Sequence, residues 1–448
     1  MDGARFGLVP RRRLAVLAVL VTALVAVPGA LAHGASGFKA GQGAFKGEQR
    51  YLMILATWGP EPFSVEEVRD VVFHQTDAFT RKQSFGASWI TGDVTPWLTV
   101  FSSQPNCDTG RIAAQARAAA QRAGFDLSRY NRFGYLFPRN SCPFSGMGSA
   151  ENTWYNGRLS VRLVAHELGH TYGLRHSNTW ECTTSCTIVE YGDPYDTMGN
   201  GVGDFNVFEK FSIGWITNVA RVSQPGTFTI DRLEQPTSGS HAVVITTASS
   251  EYWIYHRLDQ LQAPFSSSLL PTGVLVHVGP NPQAPTDQIV YGQDNLLLPN
   301  PVGMGRPAIF PGETFAEPGA FRLTVLAQRG NQMDVRFEWA DTTAPKPPVI
   351  LDLPKRVRAG GTLEISWHDA HELGSGLSYY EVKVDKRAAV RIPVQFAFTP
   401  ILRLGKLAPG AHTVTIVAVD RAGNRSAPTT RRVTVFKPKL KPKPKKRS

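Results

Sequence analysis

One stretch of this 448-residue chain carries residues of the right type and spacing for hydrolytic chemistry: His166-Glu167-Leu168-Gly169-His170-Thr171-Tyr172-Gly173-Leu174-Arg175-His176. On a helix His166 and His170, four apart, project from one face a turn apart, which suits two ligands on one tetrahedral Zn²⁺. Glu167 is displaced from them by about 100° and can serve water as a base without being a ligand. Gly173 falls where the helix has to stop, and glycine tolerates the left-handed turn that brings His176 back as third ligand. Three neutral nitrogens leave the ion its full charge and one open position for water, whose proton Glu167 can take and pass on. A bare His-Glu-x-x-His arises by chance on core helices, but all five fixed positions together do so only roughly a few times in 10⁵. A second pair, His371-Glu372-Leu373-Gly374-Ser375, lacks the later histidine and reads as a solvent-exposed loop. His74, His241, His256, His277 and His412 stand apart from any such pattern and read as structural or solvated.

The elements that must position these residues follow from periodicity. Leu159–Tyr172 is apolar enough for a buried helix. Upstream, Tyr51–Trp58 is an apolar run of strand length stopped by Gly59-Pro60. Ser64 with Glu67 forms a capping box for a helix whose Val68, Val71, Val72 and Phe79 share a face. A strand at Val94–Phe101, a helix at Arg111–Ala123 closed by Gly124, and a short strand at Tyr135–Phe137 complete an alternating pattern. Residues 50–218 therefore read as an α/β or α+β catalytic domain. Beyond Trp215 the period changes to two, as in Phe321/Leu323/Val325 and Met333/Val335/Phe337/Trp339, so residues 219–340 read as a β-sandwich or jelly roll. Residues 341–348 form a proline-rich linker, and 349–436 a second, smaller β-sandwich.

Composition bounds the setting. Residues 1–32 join Arg11-Arg12-Arg13 to an apolar run and an Ala-x-Ala site, the pattern of a secretory signal peptide cut after Ala32; 33–49 is a flexible lead-in. No later segment approaches spanning length, so the mature protein is expected to carry no transmembrane segment. The net charge of +12 is concentrated at the ends, since the leader holds four arginines against one aspartate and 437–448 holds seven basic residues and no acid. The body between them is close to neutral, which argues against a nucleic-acid groove. The tail is expected to meet anionic cell-envelope polymers and retain the protein at the surface, with a solvated, unpartnered end as the competing reading. Cys107, Cys142, Cys182 and Cys186 suit two disulfides in an exported protein. Of three pairings, Cys107–Cys142 with Cys182–Cys186 is favoured over the others and over a cysteine zinc site.

Past the third histidine comes Asp193-Pro194-Tyr195-Asp196-Thr197-Met198-Gly199. With the long histidine signature it resembles the metzincin clan of zinc metalloproteases. Glu190–Gly199, Ser84-Phe85-Gly86, Gly92–Trp97 and Phe211–Trp215 resemble the gametolysin-type peptidase family within that clan. The resemblance spans about 50–218 and, more loosely, runs to 340. It implies a Met-turn, with Met198 as an apolar floor under the ligands, and an edge strand near Ser145–Trp154 that pairs with extended substrate. The residue two after the methionine is Asn200, where some clan members carry a tyrosine that assists the transition state, so the oxyanion-stabilising group is unassigned. Leu407–Val414 and Ala418–Asn424 resemble bacterial fibronectin type III or immunoglobulin-like modules. The resulting expectation is a secreted zinc metalloendopeptidase acting on extracellular proteins. A surface adhesion protein on a degenerate protease fold is the alternative, disfavoured by the intact Glu167. The sequence does not decide a structural Ca²⁺ requirement, the cleavage preference or the oligomeric state.

Overall fold

A computed structural model describes residues 45–182, 186–201, 203–257, 273–281, 295–298, 308–394, 400–405 and 407–437, without the side chains of 181, 182, 186, 280 and 295–298. The expected signal peptide, most of the lead-in and the tail beyond 437 lie outside the described residues. The spine of the first module is β1, Gly47–Thr57, whose side chains from Tyr51 to Ala56 are buried without alternation. Such a run marks a strand covered on both faces. The other strands of its sheet are β2 (Ser88–Val94), β3 (Leu98–Thr99), β4 (Arg132–Phe137), β5 (Gly146–Ser149) and β6 (Asn152–Asn156). They run in the order β2-β1-β4-β6-β5, with β3 also pairing β1; all are parallel except β5, which lies antiparallel to β6 at the edge.

The helical stretch after Ser64 has the expected capping box, with Ser64 Oγ accepting the Glu67 N–H at 3.1 Å and Glu67 accepting the Ser64 N–H at 2.7 Å. It is not one regular helix. α1 (Val65–Arg69) and α2 (Asp77–Gln83) flank a π-helical turn at Asp70–Thr76, where Thr76 Oγ1 donates to the carbonyl of Val71. The expected strand at 94–101 is also interrupted. Pro96 has no N–H to give a ladder, so β2 ends at Val94 and β3 begins at Leu98. α3 (Thr109–Arg122) covers one face of the sheet with Ile112, Ala116 and Ala120 against Leu52, Ile54 and Tyr135. α4 (Val161–Thr171) covers the other with Val164 and Leu168 against Met53, Leu55 and Tyr155. The first module is thus a helix–sheet–helix layer structure.

Two β modules follow. After α4 the chain forms a hairpin, β7 (Asn178–Cys182) and β8 (Cys186–Val189), and then a short helix, α5 (Val207–Ser212). Next come β9 (Val219–Val222), β10 (Gly226–Asp231), β11 (Ala242–Thr246), β12 (Ser250–His256), β13 (Val274–Pro280) and β14 (Asn295–Leu298). β15 (Thr314–Glu317), β16 (Phe321–Arg329) and β17 (Gln332–Trp339) end the second module. One sheet has the order β8-β7-β14-β13-β12-β11-β9 and the other β10-β17-β16-β15. They pack as a sandwich, with Val243, Ile254 and Val276 facing Phe321, Val335 and Phe337. The outer face of the larger sheet is buried too, since Val244, Trp253 and Leu275 pack on Tyr195, Val207 and Ile216. The larger sheet therefore draws β7 and β8 from before residue 218 and its other strands from beyond it.

In the third module two sheets, of three and five strands among the described residues, enclose Leu363, Trp367, Tyr380 and Ile416. The module is fastened to the second: a guanidinium nitrogen of Arg421 donates to the carbonyl of Thr246 at 3.3 Å, and Ala248 N–H donates to the carbonyl of Gly374 at 3.2 Å. The His371–Ser375 loop is not uniformly exposed as the sequence reading had it. Leu373 is, but Glu372 is buried because its carboxylate accepts the N–H groups of Gly374 and Gly376 and so closes the turn.

Cys107 and Cys142 are bonded, tying the chain before α3 to the chain that enters β5. Cys182 and Cys186 face each other in the β7–β8 register, and their side chains lie outside those described. The first bridge closes a loop with a sequence separation of 35. Replacing both Cys107 and Cys142 by serine should lower stability by about 3–4 kcal/mol through restored unfolded-state entropy, read as an earlier denaturant midpoint. A midpoint unchanged from wild type would show that the bridge contributes nothing to the fold.

Candidate metal centre

α4 begins with Ser160 accepting the N–H of Leu163 and ends in a turn built on Gly173, whose φ is +85°. Gly173 N–H donates to the carbonyl of His170 and Leu174 N–H to that of Gly169, the paired bonds of a glycine-terminated helix. This reversal returns the chain so that His166, His170 and His176 converge. Their ligand nitrogens all lie within 4.8 Å of one another, and among the described residues no other cluster of histidine, cysteine and carboxylate groups could hold a metal ion.

The outward nitrogens explain the inward ones. His166 Nδ1 lies 2.8 Å from the carbonyl of Thr197, His170 Nδ1 lies 3.0 Å from that of Leu174, and His176 Nδ1 lies 2.7 Å from Glu190 Oε1. An oxygen acceptor at Nδ1 requires the proton there, and in the neutral ring that leaves Nε2 as the lone pair. Burial pushes His166 down to about 3, helped by the neighbouring His170, and pushes His170 down to about 4. Both are therefore neutral at neutral pH, the form that binds metal. Chemically the donor set fits one zinc ion: three imidazoles, each oriented by an outer oxygen at Nδ1.

Glu167 is almost wholly buried, and burial raises its carboxyl to about 8, with Arg162 opposing the shift. A divalent cation among the histidines would draw that value down again. β5 passes directly over the carboxylate: a methyl group on Gly146 would come 2.3 Å from Glu167 Oε1, and one on Gly148 would come 2.3 Å from the Glu167 carbonyl and 2.7 Å from His170 Cβ. Residues two apart share a strand face, so the two glycines together let the strand lie against the helix at backbone distance.

Met198 lies under α4, fully buried, and Gly169 makes room for it, since a Cβ there would sit 2.4 Å from its Sδ. The turn carrying Met198 is held from the helix by Arg162, which donates to the carbonyls of Gly199 and Gly201 at 2.7 and 2.5 Å. Within the turn Asp196 accepts the N–H groups of Met198 and Asn206. Asn200 is exposed. Tyr191 stands with φ +59°, a strained backbone for a side chain of its size, and its ring lies 3.7 Å from that of His176, centroid to centroid.

The sequence-predicted site residues divide accordingly. His166, Glu167, His170, His176, Gly173 and Met198 come together, while Cys107 and Cys142 form their bridge elsewhere. His74, His241, His256, His277 and His412 stand outside the cluster. Sequence reasoning missed Glu190, Arg162 and the two β5 glycines. Only the glycines carried a usable signal, an i, i+2 pair in a strand short of apolar residues.

Comparison with known proteins adds one informative match. Residues 78–254 match the family described as Gametolysin peptidase M11. The match supports a gametolysin-like peptidase, and it extends past residue 218 into β12. No curated protein matches the chain. Among solved structures, the fibronectin(III)-like modules of Clostridium thermocellum CbhA are 18% identical, with 20% of this chain and 99% of that one covered and a TM-score of 0.18. The Clostridium perfringens spore cortex lytic enzyme SleM is 17% identical, with 25% and 38% covered and a TM-score of 0.18. The beta-1,2-glucanase from Parabacteroides distasonis is 17% identical, with 25% and 17% covered and a TM-score of 0.16. Likenesses at that level carry no argument.

The approach of β5 to α4 yields a sharp expectation. In Gly148→Ala the new methyl group meets backbone, which cannot swing aside, so strand and helix must part at a cost of about 1–3 kcal/mol. Thermal unfolding of the variant should begin several degrees lower. An unshifted midpoint would mean that β5 is not packed against the helix as described.

Proposed function

We propose that the protein is a secreted zinc-dependent metalloendopeptidase that hydrolyses internal peptide bonds of extracellular proteins. The observation that carries this reading is the convergence of three imidazoles, each with Nδ1 turned outward to an oxygen, beside a buried carboxylate on the helix that carries two of them. His166, His170 and His176 would hold the ion through Nε2. When bound, zinc supplies Lewis acidity, polarising a carbonyl and easing the ionisation of water near neutral pH.

The chain's own residues do the rest. Glu167 accepts a proton from the attacking water at its carboxylate and delivers it to the leaving amine. Its burial keeps bulk water from competing for that proton. β5 is the end strand of its sheet, so its outer N–H and C=O groups are free to pair with an extended substrate. The Gly146 contact with Glu167 sets the distance between that edge and the base. The partly exposed ring of Tyr191 lies against His176, an apolar surface suited to a substrate's own apolar groups. Met198 supports the ligands from below and binds nothing. Export through the leader and retention by the basic tail on anionic envelope polymers complete the reading.

Glu167→Ala separates base from ligand. The variant should keep about one zinc per chain while peptidase turnover falls about 10²–10⁴-fold. Zinc content and turnover are measured on the same preparation, against a denatured protein substrate. Substantial residual turnover in a zinc-replete variant would remove Glu167 from the role of base.

A further inference from the structure

The two sides of the metal centre have different origins. His166, Glu167 and His170 ride on α4, in the first module. His176 is followed at once by Ser177 and then by β7, which pairs in parallel with β14 of the second module from Asn178↔Asn295 to Glu181↔Leu298. At this seam lies Asp193, a carboxylate with no solvent exposure. It accepts the hydroxyl of Ser177 at 2.9 Å, the N–H of Tyr195 at 2.8 Å and Nε2 of His277 at 3.0 Å. Ser177 N–H in turn donates to the carbonyl of Met198 at 3.1 Å, and Asn200 N–H donates to the carbonyl of Asp193 at 2.9 Å. Asp193 thus holds the residue behind the third histidine and the start of the Met198 turn through its carboxylate, and the end of that turn through its backbone carbonyl. The donor reaching it from outside that segment is His277, in β13 of the second module and itself fully buried.

We propose that His277 is a positioning residue of the metal centre: it holds Asp193, and through Asp193 and Ser177 it holds His176 in place to complete the ligand set. The proposal rests on the reading of the three histidines as a zinc site. A carboxylate buried without solvent must be fully hydrogen-bonded to stay where it is. With the His277 donor removed, Asp193 keeps two partners and must turn or recruit water. Either change travels through the Ser177 hydroxyl to the adjacent His176, while the backbones of His166 and His170 stay anchored in α4. Outer partners of metal ligands typically govern affinity by about 10–100-fold. The second module is then part of the metal site and not an appendage to it.

His256 supplies a control. It is equally buried, one strand away in β12, and its Nδ1 lies 3.1 Å from the carbonyl of Gly273, away from the site. The test uses the full-length chain with His277→Leu, His277→Gln, which keeps a donor at the corresponding reach, and His256→Leu. Zn²⁺ affinity is measured by chelator competition, Co²⁺ absorption reports the ligand geometry, and circular dichroism checks the fold. His277→Leu should bind zinc about 10–100-fold more weakly with an altered Co²⁺ spectrum. His277→Gln should stay within about threefold of wild type, and His256→Leu should keep wild-type affinity whatever it loses in thermal stability. Unchanged affinity in His277→Leu, or an equal loss in His256→Leu, overturns the proposal. If His277→Leu does not fold, Ser177→Ala breaks the same chain of contacts one step nearer the metal, and wild-type affinity in that variant overturns the proposal instead. A wild-type protein that takes up no zinc defeats the metal reading and this inference with it. Tight wild-type binding beside an equally tight His277→Leu defeats this inference alone.

Discussion

An imidazole can aim one nitrogen at a metal only when its other nitrogen is satisfied elsewhere. At this site that requirement is met three times, by oxygens from three separate parts of the chain: the Met198 turn through Thr197, the helix-ending turn through Leu174, and the end of the β7–β8 hairpin through Glu190. Each acceptor needs its own support. The turn carrying Thr197 is held by Arg162 and Asp196, and Leu174 follows from the glycine that ends α4. Glu190 follows β8, which is stitched to a sheet of the second module. The orientation of three side chains thus constrains elements distributed over two modules.

Close approach is the second constraint, and it follows from the first. For α4 to present two histidines and a carboxylate in a closed site, other chain segments must press on it from both sides. β5 does so where Gly146 and Gly148 lack side chains, and Met198 does so beneath Gly169. A glycine inside a helix costs about 1 kcal/mol relative to alanine, so Gly169 trades helix stability for contact. The same closeness buries Glu167 and sets its proton affinity apart from that of an exposed glutamate. Structure and reactivity of the base therefore share one cause.

How much of this the sequence revealed depended on whether the relation was local. Helical periodicity fixes His166, Glu167 and His170 relative to one another, and Gly173 marks the turn to His176, so the heart of the site was legible. The capping box at Ser64 and the spine strand were legible for the same reason. Pairing between distant strands is not written in periodicity. The change of texture after Trp215 is a real change of pattern, yet nothing local says that β7 will pair with β14, more than a hundred residues on. Glu190 reaches His176 only because that pairing directs the hairpin, and His277 reaches Asp193 by the same route. Smaller departures have local causes that compete with period: Pro96 breaks a ladder, and Glu372 is buried because its carboxylate caps a turn.

The account stands on the tautomer of three rings, and that can be observed. Long-range ¹H–¹⁵N correlation spectra of the zinc-loaded, ¹⁵N-labelled protein distinguish the protonated nitrogen of each imidazole from the one facing the metal. The geometry predicts a proton on Nδ1 and zinc on Nε2 for His166, His170 and His176 alike. Zinc on Nδ1 of any of the three, or an imidazole among them that titrates freely while zinc is bound, would contradict it.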